Sequence, residues 1–139
     1  VKVTVRVPLR TKPEGNGREH WRAVAKRRKA EHLAVGLMLA RYAPALRMYD
    51  EPLVCTMTRI SAGKLDSDNL QSALKGVRDA VAKSLGVDDG GDVVEWRYKQ
   101  DKAQRGTYWV AIEIETGRTE DDLTDTKSNM TANDASTQK

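Results

Sequence analysis

The chain has 139 residues, enough for one compact domain around a single core. Its net charge of +4 and sequence pI near 9.3 suit a polyanionic partner. The lone cysteine, Cys55, excludes an intrachain disulfide, and no apolar run is long enough to span a bilayer. No charged-then-apolar leader is read at the start, so the expectation is a cytoplasmic protein.

The charge is uneven. Residues 1–50 carry 12 Lys/Arg against 4 Asp/Glu, residues 51–116 carry 9 against 11, and residues 117–139 carry 3 against 5. The basic surface therefore belongs to the first third. The acidic residues gather later, in two short clusters.

Val1-Lys2-Val3-Thr4-Val5-Arg6-Val7 alternates without exception, the period of a half-buried strand. A Pro- and Gly-rich loop runs from Pro8 to Gly17. Residues 18–43 read as a long helix, charged in its first half through Arg18, Glu19, Arg22, Lys26, Arg27, Arg28 and Lys29. Ala30, Leu33, Ala34, Leu37 and Met38 follow at helical spacing and predict its apolar face. Pro44 ends the helix. Phenylalanine is absent, so Trp21 is expected as a core anchor. The competing reading stacks His20-Trp21 on a splayed base.

Leu53 to Ile60 is a second strand between Pro52 and Gly63, and Cys55 inside it reads as a buried small hydrophobe. Asp68 to Leu85 reads as a second helix, with Leu70, Ala73, Leu74, Val77, Val81 and Leu85 on one stripe. Ser67 or Asp68 is expected to cap its first turn, and Gly86 to stop its last. Gly76 in the middle implies close packing there. Val93–Lys99 and Thr107–Glu115 predict a hairpin, with Val110, Ile112 and Ile114 facing one way. From Gly117 the composition turns polar and predicts a disordered tail over residues 117–139. Residues 1–116 then form one α+β domain, a mixed sheet with two main helices in the order β-α-β-α-β-β.

The chemistry-bearing pattern is Leu65-Asp66-Ser67-Asp68-Asn69-Leu70 with Gly86-Val87-Asp88-Asp89-Gly90-Gly91. Each cluster alone reads most simply as a helix cap or a turn. Together, around one helix and behind a basic segment, they suit a hard divalent cation such as Mg2+ and phosphodiester chemistry on nucleic acid. Other acidic motifs fit poorly. A calcium loop from Asp66 would need Gly and Glu where Gln71 and Val77 stand. Cys55, His20 and His32 have no zinc spacing. No Gly-rich phosphate loop ending in Lys-Ser/Thr is present.

Asp66-Ser67-Asp68-Asn69-Leu70, the helix after it and the Asp88-Asp89 pair resemble the RusA family of Holliday junction resolvases, widespread in phages and prophages. His20-Trp21 and Thr58-Arg59-Ile60 resemble a phage branch of that family. The resemblance covers about residues 1–116 and is most specific between Lys64 and Asp92. It implies a homodimeric, Mg2+-dependent endodeoxyribonuclease, Mn2+ substituting, that nicks four-way DNA junctions symmetrically in recombination and repair. It assigns the essential carboxylates to Asp66, Asp68 and Asp89, with Asp88 beside them as a further metal ligand. The family often carries Lys four residues after the second motif Asp, where this chain has Ser72. Lys75 follows three residues later, rotated by about 60° on a helix, and is expected to reach the same phosphate.

Arg18, Arg22, Lys26, Arg27, Arg28, Lys29 and Lys64 are the expected contacts to the DNA backbone, about half of the helical run facing outward. One straight helix from Asp68 to Leu85 would span roughly 27 Å. Either it breaks, with Gly76 the candidate, or the two acidic clusters meet across a twofold dimer, the arrangement expected from the helix length. Three alternatives remain: a nuclease on flaps or forks, a non-catalytic junction-binding protein and, last, an interaction module.

Overall fold

The structure is a computed structural model and describes residues 2–13, 21–48 and 52–116. The polar tail from Gly117, together with Val1, Arg18, Glu19 and His20, lies outside the described residues. The order is β1 (Lys2–Val7), α1 (Trp21–Leu39), α2 (Ala43–Leu46), β2 (Leu53–Ser61), α3 (Ser67–Ala73), α4 (Lys75–Leu85), β3 (Val94–Lys102) and β4 (Trp109–Thr116). Four strands form one mixed sheet in the order β1-β4-β2-β3, making an α+β domain. Among the described residues no helix is long and apolar enough to cross a membrane.

The alternation in β1 buries Val5 and Val7 and leaves Lys2, Thr4 and Arg6 outside. Val5 pairs with Ile112 and Val7 with Val110, and Ile112 in turn faces Met57 across the next ladder. These inward residues meet Val35 and Leu39 of α1 and the stripe Leu70, Leu74, Val77, Val81 and Leu85. Helices therefore cover one sheet face, a two-layer arrangement.

The expected hairpin is not formed. β4 pairs antiparallel with β1 and β2, while β3 pairs parallel with β2, so β2 lies between the two strands. Composition explains the order. β2 buries Leu53, Val54, Cys55 and Met57 and takes a central position. β3 presents Glu95, Arg97, Lys99 and Asp101 to solvent, which suits an edge because charge discourages further strand pairing. The chain returns past the end of β2 through residues 103–108, where Gly106 adopts φ +88°.

α1 buries a different stripe from the one expected. Glu31, Val35 and Leu39 face inward, whereas Leu33 and Leu37 are 64% and 69% exposed. Leu33, Ala34, Val35, Leu37, Met38 and Leu39 nearly encircle the helix, so apolar spacing alone could not choose among them. Trp21 is 68% exposed and is not a core anchor. The helix ends at Leu39, and Pro44 lies near the start of α2 instead of closing α1.

The second predicted helix is two helices. Leu74 leaves helical geometry (φ −97°, ψ 2°) and separates α3 from α4, two residues before Gly76. The two packs differ: α4 lies on α1, and α3 lies against β3. Their junction yields where the two seats diverge. Gly76 stays helical and admits Glu31, as close packing at a mid-helix glycine requires. Gly86 closes α4 with φ +70°, the left-handed stop expected there.

Cys55 is fully buried, and burial pushes its thiol up to about 12, the Arg78 guanidinium pulling less strongly the other way. The native thiol should therefore ignore a disulfide reagent at pH 8 and react only after unfolding. Its folded value lies above the ordinary 9.0. The corresponding stability is complete below pH 9.0 and is lost as pH rises to about 12. Reagent titration of native and unfolded protein, with an alkaline unfolding series, checks both statements.

Candidate functional site

Asp66, not Ser67 or Asp68, is the N-cap of α3. Its Oδ1 accepts the Asn69 backbone N–H at 2.9 Å, and its Oδ2 accepts the Asn69 side-chain amide at 3.2 Å. Asn69 thus orients the Asp66 carboxylate through both its backbone and its side-chain amide. Asp68 is exposed in the first helical turn, where the helix dipole favours negative charge.

The loop before Asp66 is held from β2 and β3. Gln100 accepts the Leu65 N–H at 3.0 Å and donates to the Leu65 carbonyl at 2.7 Å. Arg59, the register partner of Gln100, donates to the Gly63 carbonyl at 2.8 Å and to Thr11 Oγ1 at 3.2 Å. Arg59 is 9% exposed, and that burial lowers its pKa against an opposing effect from Tyr108.

The second cluster begins at the αL stop of Gly86. Asp88 Oδ1 accepts the Gly90 N–H at 3.1 Å, a side-chain-closed turn. The Asp89 carbonyl accepts Trp96 Nε1 at 3.1 Å and also Arg78 Nη2. Arg78 Nε lies 3.6 Å from Asp89 Oδ2, its Nη1 donates to Tyr98 at 2.8 Å, and its guanidinium stacks 4.8 Å from the Trp96 ring.

A cleft of about 280 Å³ is lined by Gln71, Ser72, Lys75, Arg78, Asp89 and Tyr98. Residue 72, Lys75 and Asp89 therefore share one cavity although 17 positions of sequence separate the first from the last. Asp68 stands one helical turn before Ser72, on the same side of α3. Lys75 is 3.5 Å from Asp79, which also takes Arg28 at 3.2 Å. Lys64 lines a separate cleft of about 370 Å³ with Gly63, Gln100, Asp101 and Lys102.

Among the described residues no three Asp, Glu, His or Cys side chains gather closely enough to enclose a metal ion. The set Asp66, Asp68, Asp88 and Asp89 is not a closed protein cage. Mg2+ is commonly held through one or two carboxylates, with water and substrate phosphate completing the shell; of these four, only Asp89 lines the cleft. The helix breaks at Leu74, two residues before Gly76, yet among the described residues the two acidic clusters do not gather into one metal-holding group.

The basic run divides as its spacing requires. Arg22, Lys26 and Lys29 are exposed. Arg27 and Arg28 are half-buried, and Arg28 turns to Asp79. Arg18 lies outside the described residues. Sequence reasoning passed over Arg78, Trp96, Tyr98, Gln100 and the structural role of Arg59. The alternation Trp96-x-Tyr98-x-Gln100 was available as a signal, since period two places all three on one strand face.

No protein-family model matches the chain, and no curated protein matches it significantly.

Proposed function

We propose that the chain is a Mg2+-dependent endodeoxyribonuclease that resolves four-way DNA junctions as a homodimer. The observation carrying this reading is the cleft that joins Asp89 to Lys75 and residue 72, one helical turn from Asp68. Chemistry at a phosphodiester needs carboxylates and a cation at one phosphate; this cleft holds Asp89 and Lys75, and Asp68 stands one helical turn from its Ser72 wall.

In this reading Asp68 and Asp89 would hold the metal, with Asp66 and Asp88 as further carboxylates of the two clusters. Mg2+, or Mn2+ in its place, would supply an activated water there and stabilise charge on the phosphate. Lys75 neutralises the phosphate next to Ser72. Asn69 keeps the Asp66 carboxylate oriented. Arg22, Lys26, Lys29 and Lys64 contact the backbone, giving affinity without sequence information. Two copies about a twofold axis present two clefts to a junction of matching symmetry, the basis of paired nicks.

A second reading, a junction-binding protein without catalysis, draws on the helix cap at Asp66 and the turn at Asp88. Flap or fork cleavage would use the same cleft. The test is incubation of a labelled four-way junction, a duplex and a flap with the full chain in Mg2+ and in EDTA. Paired nicks in opposite junction arms, lost in EDTA, are expected. Binding without cutting selects the second reading, and preferential flap cutting redirects the substrate.

A further inference from the structure

We infer that Trp96, Tyr98 and Gln100, the inward row of β3, position both acidic segments of the cleft in one frame. This role rests on the nuclease reading. The three residues alternate along one strand, so their side chains leave the same face of the sheet. Gln100 engages both peptide groups of Leu65, the residue immediately before Asp66. It binds the loop as a neighbouring strand would, with one acceptor and one donor. Arg59, directly across the ladder, fixes Gly63 in the same loop.

Four residues earlier on β3, Trp96 holds the carbonyl of Asp89 itself. Between them, Tyr98 accepts from Arg78, whose other nitrogens reach the Asp89 carbonyl and carboxylate. Trp96 and Gln100 stand about 13 Å apart along an extended strand. That spacing is rigid because β3 is paired along its whole length with β2.

The anchored atoms are backbone atoms at or beside the carboxylates. Losing an anchor therefore releases a carboxylate segment before it disturbs the core. These are positioning residues: none of them is assigned a contact with the reacting phosphate.

The test uses the full chain carrying Gln100→Met or Trp96→Phe. The first removes both bonds to Leu65, and the second removes one donor while keeping an aromatic ring over which Arg78 can stack. Single-turnover cleavage of a four-way junction in Mg2+ should fall about 100-fold in each, the cost of misplacing a reacting group by about 1 Å. Junction affinity in EDTA and the cooperative thermal transition should persist. Amide exchange at Leu65 should accelerate in Gln100→Met. A wild-type cleavage rate in either variant, or unchanged exchange at Leu65, overturns the two-ended role while leaving a cutting wild type as a nuclease. A wild type that cuts no branched DNA in Mg2+ or Mn2+ overturns the nuclease reading, and the positioning role with it.

Discussion

Asp68→Asn should reduce Mg2+-dependent cleavage of a four-way junction by about 1,000-fold while leaving the fold intact. The substitution keeps the side chain's size and removes its charge. Asp68 is exposed and does not cap α3, so its loss touches only the favourable interaction with the helix dipole, about 0.5 kcal/mol. Asp66 is the contrasting control. Asp66→Ala removes the cap that holds Asn69 and should cost about 1 kcal/mol of stability as well as activity. Asp89→Asn should match Asp68→Asn in activity, because Asp89 lines the cleft with Lys75. Rates on labelled junctions with parallel thermal melts separate these effects. Full cleavage by Asp68→Asn would remove Asp68 from the reaction.

Gly76→Ala should destabilise the protein by about 2 kcal/mol, lowering its melting temperature by about 10 °C. Helix propensity alone argues the other way, since alanine in a helix interior gains about 1 kcal/mol over glycine. Packing decides the sign. A Cβ at this position would stand 2.0 Å from Glu31 Oε1, 3.0 Å from Arg28 Cδ and 3.1 Å from Glu31 Cδ. Glu31 is only 2% exposed, so its carboxylate must shift within the packed α1–α4 contact to make room. Arg28 is tied to Asp79 on the same helix as Gly76. Separation of α1 from α4 then reaches Val35, Leu39, Val77 and Val81 in the shared core. A differential melt measures the effect, and an unchanged or raised melting temperature would show room between the helices.

The α3–α4 break bears on both results. Leu74, buried with its stripe, belongs to the core on either side of the interruption. It lets α4 follow α1 through the Gly76 approach while α3 stays against β3 beside Gln100 and Leu65. Each segment meets its own partner, and both line the cleft.

Local pattern was enough to identify several parts of this protein. Alternation exposed β1 and the inward face of β4; the apolar stripe from Leu70 to Leu85 marked the buried side of α3 and α4; Gly86 marked their end. These signals are readable because period and capping depend on neighbours a few residues away. The candidate carboxylates were visible for the same reason, as short clusters at a helix start and after a helix stop.

What lies next to what was decided only in three dimensions. Insertion of β2 between β3 and β4 is a long-range pairing, and adjacency in sequence suggested the wrong one. The buried face of α1 was misread from spacing, because apolar residues cover much of its second half, and contact with α4 through Glu31 and Gly76 selected another stripe. Bringing Asp89 to Ser72, Lys75 and Arg78 took the turn after Gly86 and the anchoring row on β3. Period and composition specify elements and their amphipathic sides; burial shared between distant elements chooses which sides meet.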